Sequence, residues 1–270
     1  MREIETEEMK AIQLEIACAV DAFCAENGLR CFLHYGTLLG AVRHKGYIPW
    51  DEDIDLGMPR PDYEFFVRHF NGWKAYYEVF APELDPRYYA PYANVCDTRT
   101  VLEESNLSHG PFSLGVKVDV FPMDGAPSDD AEYEKLRARL RKLNHDLYFK
   151  NVRLSAKFRQ GFVTWLKALG IKASLAFVSI SSIQRRIRSL ATALPFDEAQ
   201  LCDQLTFPDW GTPRMKREVF ENYVDIEFVG RSFKAPKDFD LYLRAIYGDY
   251  MVLPPESERV PYHGFRAWWK

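Results

Sequence analysis

Two aspartates separated by one apolar residue, in Asp53-Ile54-Asp55-Leu56, hold the densest chemistry in the chain. On a strand, alternate side chains share a face, so Asp53 and Asp55 point one way while Ile54 and Leu56 enter a core. Carboxylates so close repel one another unless a cation lies between them. An all-oxygen donor set suits Mg²⁺, with Mn²⁺ as the alternative. A solvated acidic edge is the plainer reading of such a pair. A third acid with apolar neighbours follows in Lys117-Val118-Asp119-Val120. A lone buried aspartate is costly, but one that completes a metal cluster is compensated. Upstream, Gly36-Thr37 stands between a short apolar run and a helical pattern. Backbone N–H groups there, helped by the Thr37 hydroxyl and the helix dipole, can hold phosphate oxygens. Asp51, Asp53 and Asp55 also fit positions 1, 3 and 5 of an EF-hand loop. Position 6, which needs Gly, is Leu56, and position 12, which needs Glu, is Asp62, so a calcium loop is rejected.

These residues need particular elements beneath them. Ile12, Ile16, Val20 and Phe23 recur at helical spacing over Glu7 to Glu26, and Asn27-Gly28 ends that helix. Arg30 to Tyr35 predicts a short strand, Gly36 to Arg43 a helix, and Asp53 to Met58 a half-buried strand. Pro61 suits the first turn of a helix running to Phe70. Val116, Val118 and Val120 alternate along a strand over Gly115 to Phe121. From Ser128 to about Leu194 the pattern is helical with breaks. A hairpin around Gly230 spans Glu218 to Ala235, and a last helix runs from Asp238 to Tyr247. Strand, Gly-Thr, helix, Asp-x-Asp strand, then a single-Asp strand is the order of the DNA polymerase β-type nucleotidyltransferases. The expected fold class is therefore α+β, with that core as a mixed sheet with helices plus a helical insertion. The divisions are 1–127 (catalytic core), 128–195 (basic helical insertion) and 196–270 (a hairpin and helix returning to the core).

The 270 residues are 47% hydrophobic, enough for one sizeable core with a helical annex. The net charge of −4 hides an asymmetry: Lys135 to Arg188 holds fourteen Lys or Arg and a single acid, Asp146. Such a block predicts a basic face for an anionic surface or polymer, or a subdomain that balances the acidic remainder. With a pI near 5.9 and no nucleic-acid motif, nucleic acid is excluded as a partner. Cys18, Cys24, Cys31, Cys96 and Cys202 form no C-x-x-C pair and read as free thiols in a reducing compartment. The charged start, MREIETEEMK, is no signal peptide. Lys167 and Lys172 interrupt the apolar stretch from Phe162 to Ser182, which reads as a buried or interfacial helix, not a membrane span.

The stretch from His34 to Pro59, HYGTLLGAVRHKGYIPWDEDIDLGMP, resembles the signature of the LicD family, which includes the fukutin-related proteins. The resemblance continues through Val118-Asp119-Val120-Phe121-Pro122-Met123-Asp124, then Tyr247-Gly248-Asp249-Tyr250 with Pro254-Pro255, and Tyr262-His263-Gly264-Phe265. It implies transfer of phosphocholine, or a related phospho-alcohol, from a CDP-alcohol such as CDP-choline to a glycan hydroxyl. The acceptor would be a glycan or lipid-linked precursor, such as teichoic acid or lipopolysaccharide. Neither the N-terminal anchor nor the cysteine zinc site of some eukaryotic members is seen, which favours a bacterial cytoplasmic form. Peripheral association with the inner face of the membrane would use the apolar stretch Ala173 to Ile183 and Arg185, Arg186 and Arg188.

On this reading Asp53 and Asp55 hold one or two Mg²⁺ ions on the donor diphosphate. Asp119 completes the metal site nearest the incoming hydroxyl, as base or positioner. Gly36 and Thr37 cradle donor phosphates. Arg43 either pairs with those oxygens or forms a surface ion pair, and Lys117 either reaches the site or balances charge. Asp51 is a ligand or a neighbour of one, and Glu52 points elsewhere. A quaternary ammonium is held by aromatic faces, for which Trp50, Tyr47, Trp268 and Trp269 are candidates. His34 reads as packed, and neither His44 nor His263 is assigned a role. Two rival functions remain: a nucleotidyltransferase releasing pyrophosphate, and a non-catalytic module that binds anionic glycan or lipid.

Overall fold

A computed structural model describes residues 1–208, 213–260 and 264–270. The chain opens with β1 (Arg2–Ile4), α1 (Thr6–Asn27), β2 (Phe32–Leu33), α2 (Tyr35–His44), β3 (Asp55–Pro59) and α3 (Arg60–His69). Next come β4 (Tyr77–Phe80), β5 (Ala93–Asp97), β6 (Thr100–Glu104) and the long β7 (Lys117–Ala126). Four helices follow: α4 (Asp130–Asn151), α5 (Leu154–Arg159), α6 (Phe162–Ser174) and α7 (Ile180–Ala191). The return comprises β8 (Leu201–Asp203), β9 (Met215–Lys216), β10 (Tyr223–Phe228), β11 (Arg231–Pro236), α8 (Phe239–Tyr247) and β12 (Phe265–Trp269).

The central sheet is mixed, in the order β2-β3-β7-β5-β4, with β8 and β9 continuing from β7. Its β3–β7 pair is parallel, whereas β2–β3, β5–β7 and β4–β5 are antiparallel. An α+β architecture with a mixed sheet and helices therefore matches the sequence expectation. Ile54, Leu56, Met58, Val116, Val118 and Val120 share one core with Ile12, Ile16, Val20 and Phe23 of α1 and Tyr63, Phe66 and Val67 of α3. Phe23 meets Phe66 and Phe70 edge-on, with ring centroids 5.7 and 5.3 Å apart, so the two helices lock together under the strands. Gly28 ends α1 with φ +66, the left-handed cap that glycine adopts without strain.

Several expectations shift in detail. β3 begins at Asp55, so Asp53 lies in the preceding loop, although the ladder reaches back to Ile54, whose carbonyl accepts the N–H of Asp119 at 2.9 Å. The hairpin strands start at Tyr223, not Glu218, because Arg217–Phe220 forms a short 3₁₀ turn. Strands β4 to β6 and the terminal strands were not expected. β12 pairs with both β1 and β6, bringing Arg2 opposite Trp269 and closing the two chain ends onto the core. Helices α4 and α7 have their own small core of Leu140, Leu143, Leu147, Ile183, Ile187 and Ala191. Among the described residues, no helix is long and apolar enough to cross a membrane.

Candidate active site

The site rests on one row of the sheet. Asp55 on β3 pairs in register with Asp119 on β7, and Asn94 on β5 pairs with Asp119 from the other side. Because the valines of β7 take one face into the core, Lys117 and Asp119 share the opposite face. Asp53 reaches the same point from the loop before β3. Asp53, Asp55 and Asp119 each offer a carboxylate oxygen, and these oxygens lie within 4.8 Å of one another. Burial, then the carboxylates of Asp53, Asp119 and Asp51, hold the Asp55 carboxyl well above the usual range. Burial also raises Asp119, opposed by the Lys117 ammonium. Three oxygen donors converging at this distance fit a hard divalent cation, whose charge would relieve the repulsion.

Asp119 is firmly held. Lys117 Nζ donates to both of its oxygens, at 2.7 and 3.0 Å, and Asn94 donates a further bond from its side-chain amide. The Tyr88 hydroxyl in turn donates to Asn94 Oδ1. Burial works to lower the Lys117 pKa, but the Asp119 and Glu104 carboxylates outweigh it and raise the value well above the usual range. Lys117 is therefore a charged clamp on the acid.

A cavity of about 330 Å³ opens over the acids. Asp51, Asp53, Asp55 and Asp119 line it, together with Gly36 and the aromatic side chains of Tyr35, Trp50, Tyr92, Phe121, Phe207 and Tyr247. The start of α2 forms one rim. Tyr35 adopts a left-handed φ of +40, and a Cβ on Gly36 would stand 2.7 Å from Asp51 Oδ2. A side chain at position 36 would push Asp51 away, so this close approach calls for glycine.

Of the other expected donor-binding residues, Trp50 lines the cavity, with the Arg259 guanidinium 5.8 Å from its ring centroid. Thr37, Arg43 and Lys117 do not line it. The Thr37 hydroxyl is buried and accepts the N–H of Asp55 at 2.8 Å, which fixes β3 against α2. Arg43 donates to the carbonyl of Tyr250 at 2.8 Å and to His44 Nε2 at 2.9 Å, so it ties α2 to the segment after α8. Tyr47 packs on Phe228 and donates to the carbonyl of Lys10. Trp268 and Trp269 lie on β12, where Trp269 donates to Glu8. Glu52 accepts the N–H of Gly264 at 3.1 Å and does not line the cavity. His34 is fully buried between Tyr242, 2.7 Å away, and Gln204, and burial lowers its pKa to about 3. His263 lies outside the described residues.

Sequence reasoning missed Asn94, Tyr92, Phe121, Phe207 and Tyr247. A signal for Asn94 existed: one amide inside the apolar run Ala93-Asn94-Val95-Cys96. Tyr247 stands in a motif already noted. Desolvation, then Asp55, Asp51 and Asp53, raises its pKa and keeps its phenol protonated.

A family model described as LicD/FKTN/FKRP, nucleotidyltransferase domain, matches residues 28–89. Across 97% of both chains, the sequence is 28% identical to the lipopolysaccharide cholinephosphotransferase LicD of Haemophilus influenzae. A shorter match, 58% identical over 31 residues, covers 12% of this chain and 6% of the ribitol 5-phosphate transferase FKRP of Homo sapiens. With the model spanning Gly36, Asp53 and Asp55, and a LicD protein matched along nearly the whole length, the chain is similar to the LicD family.

Proposed function

We propose that this chain is a phosphotransferase that moves phosphocholine, or a related phospho-alcohol, from a CDP-linked donor to a hydroxyl of a glycan precursor. The observation that carries the reading is the convergence of Asp53, Asp55 and Asp119 beneath an aromatic-walled cavity. The similarity to a cholinephosphotransferase and a ribitol 5-phosphate transferase supports a phospho-alcohol as the transferred group. In this proposal the core is of the DNA polymerase β-type, formed by residues 1–127 with 196–270 returning to it, and 128–195 is an annex. Pairing of β12 with β6 and of β8 with β7 supports that grouping.

The donor diphosphate would lie over the acids beside Gly36, where the absence of a side chain permits close approach. Bound Mg²⁺ or Mn²⁺, held by Asp53, Asp55 and Asp119, would neutralise charge on that diphosphate. The acceptor oxygen attacks the phosphorus that bears the alcohol, a new P–O bond forms, the bridging P–O bond breaks, and CMP leaves. The hydroxyl proton passes to a carboxylate of the triad. Asp119, pinned by Lys117 and Asn94, sets the line of attack. The faces of Trp50, Tyr92 and Tyr247 suit a quaternary ammonium, which aromatic rings bind electrostatically.

The deciding experiment offers CDP-choline, other CDP-alcohols and nucleoside triphosphates with Mg²⁺ and glycan acceptors. CMP release from a CDP-alcohol is expected. Pyrophosphate release from a triphosphate would instead establish nucleotidyl transfer, and binding of acceptor without turnover of any donor would indicate a non-catalytic module.

A further inference from the structure

The helical segment presents an unusual surface. Helix α6 buries Ala168 against the rest of the protein, yet Phe162, Val163, Leu166 and Leu169 on its opposite side are 62%, 65%, 53% and 37% exposed. At 3.6 residues per turn these four form one stripe. Phe158 on α5, its ring 6.2 Å from that of Trp165, and Phe177 after α6 are also largely open to solvent. Trp165 stacks on Phe162 at 5.7 Å and steadies the stripe from the side. Large apolar side chains grouped in this way mark a contact surface, not ordinary scattered exposure.

The occupant can be read from the charge around it. Residues 153–188 contain eight Lys or Arg and no Asp or Glu. Arg159, Lys167, Arg185 and Arg186 are exposed. A second copy docking through the same face would set these cations against their like, which disfavours self-association. An apolar stripe edged by cations is instead the pattern of a helix lying in the headgroup region of an anionic bilayer. The position differs from the sequence expectation of Ala173 to Ile183 with the following arginines. Ile183 and Ile187 are buried, and Arg188 donates to Glu64 at 3.0 Å, so the apolar contact moves upstream to α5 and α6.

We propose that the exposed face of α5 and α6 is a docking surface for an anionic lipid bilayer. The mount is firm: Lys172 on α6 donates to the carbonyls of Phe149, Lys150 and Val152, at 2.9 to 3.0 Å, at the end of α4. Residues beside this face also border the space around the acids. Lys157 of α5 sits 5.1 Å over the ring of Tyr148, and Tyr148 lines a groove whose other walls include Tyr92 and Phe207. Those two aromatics line the main cavity as well. A membrane-held acceptor could thus reach the acids along the groove, an extension that rests on the proposed transfer reaction; bilayer docking itself does not.

The test is co-sedimentation of the full chain with phosphatidylglycerol-containing and purely phosphatidylcholine vesicles, at low and high salt. Binding to the anionic vesicles at low salt, with release as salt rises, is expected. Phe162→Ser/Val163→Ser/Leu166→Ser, on exposed positions, should weaken vesicle affinity about a hundredfold while leaving the melting temperature unchanged. Lys157→Gln/Arg159→Gln/Lys167→Gln should weaken it by about as much. Absence of anionic-vesicle binding at low salt would overturn the proposal. So would binding that survives the serine substitutions, which indicates general polyanion attraction, or a dimer that the same substitutions convert to monomer. Turnover is not needed for any of these readings, so failure here and failure of the transferase reading are separable.

Discussion

Asp55 and Asp119 are register partners on adjacent parallel strands, so their carboxylates project side by side from one face of the sheet. Neighbouring strands stand about 4.8 Å apart, close enough for one divalent cation to bridge such a pair. Asp53, entering from the loop, closes the third side.

Repulsion within this triad makes metal and stability interdependent. Mg²⁺ or Mn²⁺ should raise the melting temperature of the wild-type protein in a concentration-dependent way. Asp55→Asn should remove that response, lower turnover by about a thousandfold or more, and leave the metal-free melting temperature unchanged or higher. Differential scanning calorimetry with and without metal checks both halves. An undiminished metal response in Asp55→Asn would remove Asp55 from the site.

Gly36 and Gly40 separate binding from folding. A Cβ on Gly36 would meet only the side chain of Asp51, whereas one on Gly40 would stand 2.4 Å from the backbone oxygen of Gly46. Gly36→Val should therefore lose donor affinity by about tenfold or more with little change in melting temperature. Gly40→Val should be strongly destabilising, because backbone cannot yield as a side-chain end can. Isothermal titration with CDP-choline and thermal melts of both variants test the contrast.

Lys117 is predicted to matter through Asp119. Lys117→Met leaves a buried carboxylate without its counter-ion and should cost about 3 to 5 kcal/mol in metal-free protein. Lys117→Met/Asp119→Asn should recover much of that loss without recovering turnover. Urea unfolding of the single and double variants measures the coupling.

The aromatic wall should discriminate by charge. Trp50→Leu and Tyr247→Leu are each expected to raise KM for CDP-choline by about fivefold to tenfold. A CDP-linked neutral alcohol should be little affected. Equal losses for both donors would mean that these rings position the donor without contacting the ammonium.

His34 predicts an acid limb in stability. Its folded pKa is lowered to about 3 by burial, below the ordinary 6.5. The unfolded chain therefore binds the additional proton between these values. Stability from the neutral imidazole is full above pH 6.5 and falls as pH drops, by about 1.4 kcal/mol per unit. His34→Gln should lower stability at pH 7.5 and flatten this limb between pH 6 and 4.5. Urea titrations across that range check it, and parallel curves for the two proteins would contradict the assignment.

What the sequence determined by itself was local. Residue spacing located α1, α2, α3 and the hairpin, because helix and strand periods and glycine turns are written over a few residues. The same locality exposed the acids: Ile54, Leu56, Val118 and Val120 are apolar, so the aspartates among them had to face elsewhere. Only the tertiary structure decided what those acids meet. The alignment of β3 with β7, the approach of Asn94 from β5 and the aromatic wall drawn from distant segments are pairings between strands and loops far apart in the chain. Thr37, Arg43 and Lys117 show the limit best. Each has the right chemistry to hold phosphate, but Thr37 bonds to β3, Arg43 to the segment after α8, and Lys117 to Asp119. A hydrogen-bonding side chain is claimed by whichever partner folding brings within about 3 Å, and spacing along the chain does not encode that distance.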